Sequence, residues 1–164
     1  MRSGVFVTKN DLQAVLANIN AMVAQRVYIG IPQEKNQRPD GGVGNATIAY
    51  VNEKGSPAKG IPARPFLGPG VRKAAPAVLD ALQGGARAGM MKRGAVVRGL
   101  RKAGQIAVQS VQATIKAGEG FAPLSQRTLE ARRAKRRKST KPLIETGRLR
   151  RSITYIIRTR KWQG

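Results

Sequence analysis

The stretch from Tyr50 to Pro69 constrains the fold of this chain more than any other. It reads YVNEKGSPAKGIPARPFLGP, with Pro62 and Pro65 close together near its centre. Proline fixes its own φ and disfavours helical backbone in the residue before it. We therefore expect an extended arm over Ile61–Pro65, with Arg64 and Phe66 displayed on either side of it, between two helices.

The arm has two interpretations from local sequence alone. Proline-rich segments commonly serve only as connectors between two elements, and a connector needs no partner. A stiff arm that ends in Phe66-Leu67 is also suited to docking, because an aromatic side chain concentrates burial energy in a small area. Whether Phe66 reaches a neighbouring molecule or folds back on its own chain is open at this point.

Hydrophobic periodicity predicts an α+β domain. Strands are expected at Val27–Pro32 (VYIGIP) and Ile153–Arg158 (ITYIIR), paired in a small antiparallel sheet. An N-terminal helix and a long central helix should pack on this sheet. The apolar spacing predicts helices over residues 9–25, 46–54, 70–83, 93–117 and 126–138, with Asn45 and Ser125 as N-caps, Gly55 at one helix end, and a break over Gln83–Gly89.

Residues 1–164 read as a single domain. The polar loop 33–45, with the turn signal Pro39-Asp40-Gly41-Gly42, is expected to be flexible. Neither a secretory signal nor an apolar run long enough to cross a membrane is evident in the sequence. We therefore expect no contact with a membrane.

The composition argues against catalysis and metal binding, and it favours a negatively charged partner. The chain has no cysteine and no histidine, which removes thiol nucleophiles, most metal sites and the usual general base. We therefore expect neither an enzyme nor a cofactor or metal site. The net charge is +23, of which +18 lies in residues 83–164. Such asymmetry indicates a polyanionic neighbour, either nucleic acid or an acidic protein surface.

The densest charge lies in the segment 126–141, which we expect to be a basic helix. The candidates for contact with DNA or an acidic partner are Arg132, Arg133, Lys135, Arg136, Arg137 and Lys138. Phosphate contact through counterion release needs no sequence reading, and a solvated charged face is the alternative. No aromatic interleaving and no recognised DNA- or RNA-binding pattern accompanies the run, so any nucleic-acid contact should be non-specific.

Several pieces of the chain together carry a family resemblance. They are VYIGIP, IAYVNEKGSP, IPARPFLGPG, GFAPLSQRTLEAR and KPLIETGRLRRSITYIIR. In combination they resemble the head–tail joining proteins of tailed bacteriophages, also called tail completion, virion morphogenesis or neck proteins. The order differs from the commoner arrangement of that family, in which the Thr-Gly-Arg-Leu piece precedes the proline arm.

The resemblance implies a small α+β fold that forms a homo-oligomeric ring, with a hexamer expected, and no catalysis. The ring would sit in the virion neck between the head connector or adaptor protein and the tail tube protein, after assembly in the host cytoplasm. Non-specific contact with packaged DNA would accompany this place. The alternative function is that of a basic, non-specific nucleic-acid-binding protein. The subunit-interface candidates are Ile61, Pro62, Arg64, Pro65, Phe66 and Leu67.

Overall fold

The computed structural model describes residues 9–39, 41–92 and 94–159. In these ranges the fold is α+β, with six α-helices and one sheet of two antiparallel strands. Two short 3-10 helices, Gln33–Lys35 and Pro57–Lys59, complete it. The main elements are α1 (Lys9–Ala24), β1 (Gln25–Gly30), α2 (Asn45–Lys54), α3 (Leu67–Met91), α4 (Ala95–Ala117), α5 (Gln126–Ala134), α6 (Arg148–Ser152) and β2 (Thr154–Thr159).

The two predicted strands pair as expected, in a register that runs from Gln25 opposite Thr159 to Gly30 opposite Thr154. Their bounds differ slightly from the prediction, because β1 begins before the apolar run and ends at Gly30. The strand follows α1 with no intervening loop. An isolated two-stranded ribbon is marginally stable, and here the ribbon packs on α4.

Helices α3 and α4 form a long antiparallel hairpin, and the predicted break over Gln83–Gly89 is wrong. The glycines of that stretch lie inside α3 because two of them let the hairpin close. A Cβ on Gly85 would lie 2.7 Å from the Cα of Gly99, and one on Gly89 would lie 2.4 Å from a side-chain atom of Val96. Tertiary contact therefore offsets the intrinsic helix penalty of glycine, which is about 1 kcal/mol per residue.

The core lies where the hairpin, the arm and the C-terminal segment meet. Its buried members are Phe66, Val111, Ile115, Leu149 and Ile153. Phe66 is only 1 % exposed within a single chain. The expectation that the arm displays Phe66 is therefore wrong, because its ring supplies core volume and has no free surface for a neighbour.

A carboxylate of α2 fixes the start of α3. Glu53 accepts backbone hydrogen bonds from Phe66 (2.7 Å), Leu67 (2.8 Å) and Gly68 (2.9 Å). These donors belong to the first turn of α3, where N–H groups have no partner inside the helix and a negative charge is favourable. Glu53 therefore holds the end of the arm and the first turn of the hairpin against α2.

Two of the three predicted helix-capping residues lie where they were expected, and the third does not act as a cap. Ser125 accepts from the backbone N–H of Thr128 at 3.3 Å, as expected, and Gly55 follows α2 with φ +77°. Asn45, however, is the first residue of α2 and donates to the carbonyl of Lys35. The N–H of Ala46 is satisfied by the side chain of Asn36, which the sequence analysis placed in a flexible loop.

The glycine contact yields a matched pair of variants on adjacent residues of α3. Gly85→Ala should lower the free energy of unfolding by about 1–3 kcal/mol, because the added methyl meets the backbone of α4. Gly84→Ala should raise it by about 1 kcal/mol, because open space surrounds that position and alanine favours helix. Urea denaturation followed by circular dichroism measures both. Equal effects of the two variants would contradict the close approach of the helices.

Candidate functional site

Arg64 of the arm points inward and fixes a distant loop. Its side chain is 6 % exposed. Its Nε donates to the carbonyl oxygen of Ala122 and its Nη2 to that of Pro123, both at 2.7 Å. The arm is thereby held against the loop before α5. The expectation that Arg64 is displayed for docking is wrong, because its guanidinium is used within the chain.

Arg132 has a similar role at the far end of α5. Its Nη1 lies 2.9 Å from the carbonyl oxygens of Ser139 and Lys141 and 3.1 Å from that of Ile144. The side chain is 9 % exposed, so it does not lie on the open basic surface that the charge run predicts. It holds the segment that follows α5 folded back against the helix. Leu143 in this segment has φ +60°, a conformation uncommon for a bulky side chain.

The two buried arginines line one open pocket of about 790 Å³. Its apolar wall comes from α2, the arm and the segments on either side of α5, and includes Ile48, Val51, Ile61, Leu124 and Leu143. In the described residues neither arginine pairs with a carboxylate. Burial, and then the charge of Arg132, lower the pKa of Arg64. We call this cavity the arginine pocket.

The other basic candidates remain on the surface. Arg133, Lys135, Arg136, Arg137 and Lys138 are exposed, and we call them the basic tip. The predicted helix ends at Ala134, four residues early. Arg136 has φ +52°, and the N–H of Arg137 returns to the carbonyl of Arg132 at 2.8 Å, which closes the helix end. Like charges at this density repel one another along a helix, so an early end is expected on physical grounds.

Apolar surface is also exposed at positions where periodicity predicts only one face of a helix. Leu12, Leu16, Ile19 and Val23 lie on one face of α1 and remain 40 % to 73 % exposed. We call this face the α1 stripe. Beside the sheet, an apolar groove of about 740 Å³ opens between β1 and the α3–α4 hairpin. Residues that line it include Val27, Val71, Val78, Leu79 and Leu100.

The remaining interface candidates divide between pocket and surface. Ile61 and Pro62 line the arginine pocket, and Pro65 is exposed. Leu67 is half-buried and packs against the core. The arm therefore mainly makes contacts within its own chain. Periodicity could not have shown this, because it does not report contacts between segments that are distant in sequence.

Neighbouring arginines on α5 provide a test of the internal role. Arg132→Gln should lower the free energy of unfolding by roughly 2–4 kcal/mol, because it leaves three partly buried carbonyls without a charged donor. Arg133→Gln removes the same charge from an exposed position and should change stability by less than about 0.5 kcal/mol. Thermal and urea denaturation measure both variants. Similar stabilities would show that the Arg132 contacts contribute nothing.

The candidate interaction surfaces are the arginine pocket, the basic tip, the α1 stripe and the apolar groove. In the described ranges no helix has the length and apolarity needed to cross a bilayer. Nor do these ranges contain a cluster of carboxylate, imidazole or thiol groups able to hold a metal ion. No family model, no characterised protein and no solved structure matches this chain.

Proposed function

We propose that this chain is a structural subunit that assembles with copies of itself into a ring, between the head connector and the tail tube of a tailed bacteriophage. A hexamer is the expected ring. The observation that carries the proposal is apolar surface that a single copy leaves open, namely the α1 stripe and the apolar groove. Contiguous exposed apolar surface of this kind is typical of interaction sites.

The α1 stripe has the residue spacing of a helix that docks in an apolar groove. The α1 stripe recurs at positions i, i+4, i+7 and i+11, which is the pattern of a helix that lies in a hydrophobic groove. The stripe is about 16 Å long at the rise of an α-helix. One copy carries both the helix face and the groove, so each subunit can use its helix on one side and its groove on the other. Such head-to-tail contacts generate a ring when the rotation closes.

The family resemblance supports the place of the ring, and internal contacts connect its pieces. Glu53, in the piece that ends Gly-Ser-Pro, caps the helix that follows the arm. Arg64 in the arm donates to the carbonyls of Ala122 and Pro123, at the start of the Pro-Leu-Ser piece. Arg132 in that helix binds the carbonyl of Ile144, next to the Thr-Gly-Arg-Leu piece. The motifs therefore act as one structural unit, which gives a physical reason for their combination.

Charge sets a condition on assembly. Copies with a net charge of +23 repel one another, and salt screens this repulsion within about 10 Å at 0.1 M. Apolar contacts between stripe and groove are not weakened in this way. In a ring around the path of packaged DNA, the DNA phosphates would supply the counter-charge.

Substitution of the α1 stripe tests the assembly. Leu16→Gln with Val23→Gln should weaken self-association by about 100-fold or more, since each buried aliphatic side chain contributes about 1.5–3 kcal/mol. Tyr50→Gln, at an exposed position on α2, should leave the association unchanged. Analytical ultracentrifugation at moderate salt measures the mass of each species. A wild-type chain that remains monomeric over all salt and protein concentrations would refute ring assembly.

The location is tested separately from the assembly. Cryo-electron microscopy of the parent particle should place a ring of this chain between tail tube and connector. Density for the chain elsewhere in the particle, or none at all, would remove the neck from the proposal and leave only the assembly.

Non-specific nucleic-acid binding remains a second candidate, favoured by the exposed basic tip. Arg133→Gln, Arg136→Gln and Arg137→Gln together should weaken binding to duplex DNA and reduce the slope of log K against log salt by up to about 3. The control removes Lys73, Arg87 and Lys116, which are exposed elsewhere. Fluorescence anisotropy with a duplex of arbitrary sequence measures both. Equal losses would mean that the net charge, and not the tip, governs binding.

A further inference from the structure

The arginine pocket has an excess of positive charge. Among its charged lining residues Glu145 is acidic and Arg38, Lys59, Arg64, Arg132 and Arg148 are basic, and in the described residues neither Arg64 nor Arg132 forms an ion pair. Arg64 and Arg132 are 6 % and 9 % exposed, and in the described residues their hydrogen-bond acceptors are backbone carbonyls. Burying a charge is costly unless it is paired, and two like charges in one pocket add to the cost. The lowered pKa of Arg64 has these same causes, burial first and then the charge of Arg132. An anion in the pocket would relieve both.

The guanidinium groups still have donors to offer. Arg64 uses Nε and Nη2 for its two carbonyl contacts, and the contacts of Arg132 all involve Nη1. A guanidinium has five N–H donors. The remaining donor atoms are not among the fully buried polar atoms that lack a partner. Because both side chains line the pocket, we expect these donors to face it.

The walls of the pocket distinguish between anions. A phosphodiester backbone is polar along its whole length and suits the exposed basic tip. The arginine pocket joins its two charges to a wall that includes Ile48, Val51 and Leu143. Its volume of about 790 Å³ is in the range of sites that enclose a ligand of drug size. A segment that presents an acidic side chain beside apolar ones matches both parts of this surface.

We infer that the arginine pocket is a docking site for a segment of a partner protein that inserts a carboxylate between apolar side chains. The carboxylate accepts hydrogen bonds from Arg64 and Arg132, and its neighbours pack on the wall formed by α2 and the segment after α5. Guanidinium groups bind carboxylates in a planar, two-bond geometry, so the contact is directional as well as charged. The inference does not depend on the ring or on its place in a virion.

Calorimetric titration with a defined peptide tests the inference. The probe is a seven-residue peptide in which leucine and glutamate alternate, and the matched probe carries glutamine in place of glutamate. Both are added to the wild-type chain at 0.15 M salt. We expect the acidic peptide to bind at least about tenfold more tightly, since glutamate carboxylates pair with the arginines and glutamine amides do not.

Variants at the mouth of the pocket locate the binding without disturbing the buried arginines. Thr47 is exposed and lines the pocket. Thr47→Glu should weaken binding of the acidic peptide by about tenfold through like-charge repulsion, while Thr47→Gln should change it by less than about twofold. Arg136→Gln with Arg137→Gln, on the basic tip, should also leave it unchanged.

Four outcomes would overturn the inference. They are the absence of binding, equal affinity for the two peptides, binding that the basic-tip variant removes, and competition by a short oligonucleotide at lower concentration than the peptide. The last would assign the pocket to a phosphodiester. None of them bears on self-association through the α1 stripe, so this test and that of the ring can fail separately.

Discussion

The fold depends on arginine side chains that bind backbone carbonyls across long sequence separations. Arg64 joins the arm to residues 122 and 123, and Arg132 joins α5 to the segment that leads into α6. Around these contacts the chain has little regular structure that could bring the same segments together. A charged donor is well suited to this, because its hydrogen bonds are roughly twice as strong as neutral ones. The basic composition of the chain thus has a structural component as well as an electrostatic one.

Most elements follow from local pattern, and the exceptions have identifiable tertiary causes. The helix of residues 9–25, the two strands and the central helix could be predicted from periodicity, because each presents one apolar face. The continuation of α3 through Gly84 and Gly85 could not, since it depends on contact with Gly99 of α4. The inward direction of Arg64 and Phe66 escaped prediction for the same reason, because an extended arm has no periodicity that distinguishes inside from outside.

The candidate sites, too, are predicted in part by composition and are otherwise decided by tertiary contacts. Density of charge predicted a basic surface, and five of its six residues are exposed, but nothing in the run distinguishes Arg132 from Arg133. The distinction arises because the segment after α5 folds back over Arg132, whose Nη1 donates to its carbonyls. The α1 stripe was visible in the sequence as one face of a helix. This face remains exposed in a single chain because of how the whole fold is arranged. A pattern of apolar residues cannot predict that exposure.

The direct passage from α1 into β1 has a mechanical consequence. With no loop between them, the helix cannot reorient without twisting the strand, and the strand is tied through β2 to the α3–α4 hairpin. Tyr155 of β2 lies so close to Gly104 of α4 that a Cβ there would overlap its ring, at 2.5 Å. Force applied to the exposed face of α1 would therefore pass into the core of the chain through a short path.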